Sequence, residues 1–135
     1  MIISNISAGW CSFDLDGFHG HPSYITPVPI DILEGLLHYI EYGTCTISFD
    51  EERSYFHLIL TEYNTYIIEE KDKAILISIS EDPNDVAAIL YDDVINNKET
   101  WIEWLSDNER DFGHYRKIIN KLEEKIDARR KNKRT

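Results

Sequence analysis

The chain has 135 residues, of which 42% are hydrophobic and 29% charged, a balance that suits one folded domain and argues against disorder of the whole chain. Twenty-five acids against fourteen bases give a formal charge of −11, which disfavours nucleic acid and anionic membrane as partners and favours a basic protein. No apolar run is long enough to span a bilayer, and residues 1–10 lack the basic region and apolar core of a secretion signal.

In chain order, residues 2–15 read as extended, with Asp16-Gly17 as the turn of a hairpin and residues 18–26 as the return. Pro27 and Pro29 end that segment, and Pro29 also suits the start of a helix. Residues 30–42 are the clearest helix: Ile32, Leu33, Leu36, Leu37 and Ile40 fall on one face, and Gly43 fits the left-handed position beyond its end. Strands follow at 44–49, 54–63, 66–70 and 74–80. The second is apolar on both faces, which predicts a central strand. Residues 80–85 break the pattern, and 86–91 read equally as strand or helix. Helices are predicted over 94–106 and 111–129; in the last, Phe112, Tyr115, Ile119, Leu122 and Ile126 form one apolar stripe. The order predicts an α+β fold: a mostly antiparallel sheet of five to six strands with about three helices, the last two at the C-terminus.

Charge is unevenly distributed. Residues 125–135 hold six of the fourteen bases and one acid, leaving 1–124 with 24 acids and 8 bases. The organisation expected is a single acidic domain over 1–124 and a basic tail over 125–135 that ends the last helix and is partly disordered. Such a tail is either a solvated terminus, a grip for an anionic partner, or a strap folded back onto the acidic body.

Asp50, Glu51 and Glu52 stand in a row between two strands. Carboxylates hold a metal or share acid–base roles only when they converge, and three consecutive turn residues point apart. They read as a solvated turn or as part of a partner-binding surface. With Glu62, and with Tyr55 and Tyr63 as aromatic anchors, they make the candidate partner-binding set. His19 and His21, two apart on a strand, could face one metal with Asp14, Asp16 or a cysteine nearby, although H-x-H recurs by chance. Asp31, Glu34, His38 and Glu41 line one side of the first helix, as a solvated face would. Trp101 and Trp104, three apart, read as a core ridge or as an interface anchor, and Trp10 and Cys11 read as buried. Cys11 and Cys45, with nothing beside them to form a thiolate, read as reduced thiols of a cytoplasmic protein. No phosphate loop, CxxC, HExxH or nucleophile elbow is present, and no cofactor is implied.

Gly9-Trp10, Ser23 to Thr26, Asp31 to Leu37 and Ser48 to Glu52 together resemble a group of small bacterial proteins of no assigned activity. These show a Gly-Trp strand, an S-Y-L-[ST] strand, a D-L-L-x-A-L helix and an F-D-x-E turn in that order. Ile32 and Gly35 depart from the helix pattern. The resemblance covers the first half of the chain and implies a fold more than an activity. In general character the chain is also similar to bacterial immunity proteins, which are small, acidic and α+β.

The function expected is that of a non-enzymatic acidic binding protein of the immunity or antitoxin type, docking onto a basic toxin domain such as a nuclease. Two alternatives stand beside it. One is a metal-dependent hydrolase using His19, His21 and nearby carboxylates. The other is an adaptor or subunit that assembles through the tryptophan helix.

Overall fold

The computed structural model describes residues 1–133. Strands β1 (Ile3–Ser7), β2 (Trp10–Leu15) and β3 (Phe18–Gly20) form one antiparallel sheet. Helix α1 (Val28–Tyr42) leads into a four-stranded antiparallel meander, β4 (Cys45–Asp50), β5 (Tyr55–Leu60), β6 (Thr65–Glu70) and β7 (Ala74–Ile79). Then come α2 (Pro83–Ile95), α3 (Lys98–Leu105), a 3-10 turn at Glu109–Asp111, and α4 (Phe112–Lys133). The class is the predicted α+β. The expected five to six strands and three helices become seven strands in two sheets and four α-helices among the described residues.

Local chemistry explains the differences. Residues 2–15 are two strands because Ala8 and Gly9 both take positive φ, 49° and 81°, the backbone that closes a two-residue hairpin. Asp16 and Gly17 repeat that geometry at 48° and 83°, and this second turn is the predicted one. The break at 80–85 is a helix start: the Asp82 carboxylate accepts from Asn84 N at 2.8 Å, and Pro83 occupies the first turn. The predicted 94–106 helix is divided at Asn96–Asn97, between α2 and α3. Gly43 ends α1 as expected, with φ 79° and its N–H on Tyr39 O.

One continuous apolar cluster joins both sheets and all four helices. Phe13 and Phe18 of the small sheet pack on Phe49 and Phe56 of the large one, with ring centroids 4.9–5.3 Å apart. The inner face of the meander, Ile47, Phe49, Phe56, Leu58, Leu60 and Ile67, is buried under the small sheet and α1. Trp101 is fully buried and meets Trp104 edge-on, whereas Trp10, expected inside, is 41% exposed. Cys11 and Cys45 are buried free thiols, and burial pushes them up to about 12 and about 11. Asp93 is a buried carboxylate that accepts from Ile2 N at 2.7 Å and Ile3 N at 2.9 Å, fastening β1 to α2.

Gly35 lets α1 lie close on β4: a β-carbon there would stand 2.5 Å from Cγ1 of Ile47. Around Gly113, in the first turn of α4, a β-carbon would meet nothing within 4 Å. The same substitution should therefore act in opposite directions. Gly35→Ala is expected to lower unfolding free energy by about 1–3 kcal/mol through overpacking. Gly113→Ala should raise it by up to about 1 kcal/mol through helix propensity. Urea unfolding of the two variants against the parent chain checks both signs.

Candidate functional site

The acidic turn between β4 and β5 is tied to the small sheet. The carbonyl oxygen of Asp50 accepts both the N–H and the hydroxyl of Ser23, at 2.8 and 3.0 Å. The Asp50 carboxylate accepts from Glu52 N at 2.6 Å, closing a turn in which Glu52 sits at φ 74°. Glu51 spans two segments: Oε2 accepts from His21 N at 2.8 Å and Oε1 from Ser54 Oγ at 3.0 Å. Two of the three acids thus shape the turn, and Glu52 is left exposed.

Cross-strand register then places what surrounds them. Asp50, Tyr55, Glu70 and Ala74 form one row across β4–β7, and Ser48, His57, Ile68 and Leu76 form the next. Thr46, Ile59, Tyr66 and Ser78 form a third. All point to the face opposite the core, and none of them is buried. Tyr55 is 50% and Leu76 63% exposed. Sequence reasoning took the two apolar faces of β5 as the mark of a central strand. The strand is indeed internal to the sheet, but its outer face is open to solvent.

His57 locks three strands on this face. Nε2 donates to Glu70 Oε2 at 3.1 Å, since a carboxylate accepts, and Nδ1 lies 2.7 Å from Ser48 Oγ. Hydroxyl, imidazole and carboxylate thus form a chain, the order used to activate a serine. Ser48 is exposed on β4 and also borders a cleft between that strand and α1, and within the sheet the relay acts as a cross-strand clasp.

Glu62 and Tyr63 lie elsewhere. They occupy the β5–β6 turn, a strand's length from Tyr55, about 20 Å at 3.3 Å per residue. There Tyr63 is 78% exposed, and Glu62 borders a cleft of about 300 Å³ with Tyr39 and Asn84. The predicted partner-binding set is therefore two groups: Asp50, Glu51, Glu52 and Tyr55 at one end of the sheet, Glu62 and Tyr63 at the other. Sequence reasoning missed Ser48, His57, Ile68, Glu70 and Leu76 as neighbours of the first group. The spacing of the strands could have shown them once the register was known.

The other candidates are placed as follows. His19 Nδ1 pairs with Asp14, and the His21 side chain is exposed. Among the described residues no three His, Cys, Asp or Glu side chains are grouped to hold a metal ion. Asp31, Glu34 and His38 line a cleft of about 490 Å³ along the edge of β4, and Glu41 pairs with Arg129 at 2.6 Å. Trp104 is half-buried, and its Nε1 donates to Trp10 O at 3.2 Å. The basic residues through Lys133 continue α4. Arg129 reaches α1, and the Arg130 guanidinium lies 4.3 Å over the Tyr91 ring of α2. These two side chains hold the end of α4 against the helical side. Arg134 and Thr135, where disorder is also expected, lie outside the described residues.

No helix among the described residues is long and apolar enough to cross a membrane. No protein-family model, curated protein or solved structure matches the chain.

Two measurements check the roles assigned here. Glu51→Ala removes two acceptors from the turn and is expected to cost about 1–2 kcal/mol of stability, while Glu52→Gln should stay within about 0.5 kcal/mol of the parent chain. Thermal and urea unfolding separate the two. Asp31 supplies a pH test, because burial, with Glu34 beside it, pushes its carboxyl up to about 6. Below about pH 4 it is protonated in both states, and between about 4 and 6 only the folded chain keeps the proton, so rising pH costs stability in that window. The stability gained by Asp31→Asn should therefore grow as pH rises across the window and level off above it.

Proposed function

We propose that this chain is a non-enzymatic docking protein whose uncovered sheet face takes a basic protein partner, as an immunity protein takes a toxin domain, a nuclease among them. One observation carries the reading: Tyr55 stands half-exposed between Asp50 and Glu70, on a face no other element buries. An aromatic anchor flanked by carboxylates suits an arginine- or lysine-bearing surface, since the ring accepts the apolar stem and the acids accept the charge. Glu52 extends the acidic rim, and Ile59, Ile68 and Leu76 supply apolar area beside it. The fold supports the reading in a second way. Arg129 and Arg130 lie against α1 and α2, and at this end of the sheet Arg53, Lys71 and Lys73 offset only part of the charge of Asp50, Glu51, Glu52, Glu69, Glu70 and Asp72.

The general likeness to immunity proteins points the same way, with Glu62 and Tyr63 as a second contact at the far turn. In such a complex charge steers approach and the buried aromatic sets residence time. The matching experiment is capture of binding proteins from the native host at low ionic strength, followed by kinetics with the purified partner. The partner should be basic, and its association rate should fall on the order of ten-fold as salt rises from low to above physiological strength. Tyr55→Ala should weaken binding by about ten-fold or more, and Glu70→Lys should slow association. A partner whose on-rate is indifferent to salt, or whose affinity ignores Tyr55, counts against the proposal.

A further inference from the structure

β7 is the last strand of the meander, and among the described residues β6 is its one strand partner. Its pairing with β6 runs from Thr65↔Ile79 to Glu70↔Ala74 without a bulge, and it contains neither proline nor glycine. It is also apolar and exposed, with Ile75 at 45% and Leu76 at 63%. A regular, apolar, unpaired strand edge is a template for another strand. The opposite edge of the sheet differs, because Ser23 binds β4 at Asp50 within the strand and α1 lies against it, whereas the contact of Asp16 with Ser80 falls beyond the last residue of β7.

The charges beside β7 are sorted by sign. Lys71 and Lys73 precede it, outnumbering the Asp72 between them, and Glu81 and Asp82 follow it, all exposed. Within one molecule Lys73 and Glu81 stand in the bends at opposite ends of the six-residue strand, about 20 Å apart at 3.3 Å per residue, too far to meet. Laid antiparallel against a second copy, the same segment complements itself. With a two-fold axis through Ile77, Ile75 falls opposite Ile79 of the copy, and the Lys73 side chain at one end of the strand comes beside the Glu81 side chain at the other end of the copy; each pair occurs twice. A parallel arrangement would set lysine against lysine. Asp16 marks where the ladder stops, since its carboxylate takes both the N–H and the hydroxyl of Ser80, at 2.8 and 2.9 Å.

We propose that β7 pairs antiparallel with β7 of a second copy of this chain, joining two four-stranded sheets into one and closing each end with a Lys73–Glu81 pair. The outer faces then become continuous, so two Tyr55 surfaces are displayed on one side of the dimer.

Sedimentation equilibrium of the full chain at fixed ionic strength tests this with a charge-exchange series. The parent chain should dimerise. Lys73→Glu and Glu81→Lys, both at exposed sites that leave the core untouched, should each weaken the dimer by roughly ten-fold, because both contacts become repulsive. The double variant should recover most of the loss, an outcome that unfolding or a general change of net charge does not produce. Amide hydrogen exchange adds a second reading: protection over 74–79 should rise with protein concentration. A chain that stays monomeric throughout overturns the proposal and leaves the flanking charges as guards against pairing. A dimer equally tight in both single variants, or one the double variant does not restore, also overturns it.

Discussion

Two hydrogen bonds from Ser23 to the peptide oxygen of Asp50 hold the two sheets in one arrangement. They are short-range contacts between segments far apart in sequence, and Ser23 is fully buried where it makes them. With the Glu51 carboxylate on His21 N, they set the small sheet against the end of β4. That placement is what allows Phe13 and Phe18 to reach Phe49 and Phe56 across the core. It also determines which face of the meander is left open. The small sheet and α1 use one side, and among the described residues no element covers Tyr55, Tyr66 and Leu76 on the other. The acids at this turn therefore act on the interior through Asp50 and Glu51 and on the exterior through Glu52.

An open face of this composition stays in water because its side chains are amphipathic. Tyr55 and Tyr66 present hydroxyls, His57 is held between Ser48 and Glu70, and the aliphatic residues are interrupted by Thr46, Ser78 and the acids. Such a surface is wet when free and dries on contact with a partner that satisfies its polar groups. Three buried polar groups of the core are handled differently, with a specific partner each: Asp93 on two strand amides, Thr65 on Glu81 O, and the Trp101 indole on Asp93 O.

Much of the fold is legible in the sequence, and the exceptions have physical causes. The α1 face and the β4–β7 meander follow from three-and-four spacing, alternation and turn residues, and the structure places these elements within two residues of the reading, except that β5, read to 63, ends at Leu60 where the Thr61–Asn64 turn begins. The Ala8–Gly9 turn escapes because alanine seldom adopts φ 49° and carries no turn signal. The start of α2 reads as a break because proline marks a helix's first turn as readily as its end. The candidate site was half legible. Asp50, Glu51, Glu52 and Tyr55 are neighbours in sequence and in space. Their association with Ser23, His21 and Glu70 depends on which strands meet, and no local pattern encodes that. The open second face of β5 is hidden for the same reason: alternation reports apolar side chains on both faces and says nothing about what covers them.

Helix α4 carries eight of the chain's fourteen lysines and arginines and lies against α1 and α3, while the acids at the β4–β5 turn stand on the sheet. Charge of opposite sign is therefore held on rigid elements of one body, which gives it a permanent electric moment as well as a net charge. In the field of a cationic surface such a body experiences a torque before it makes contact.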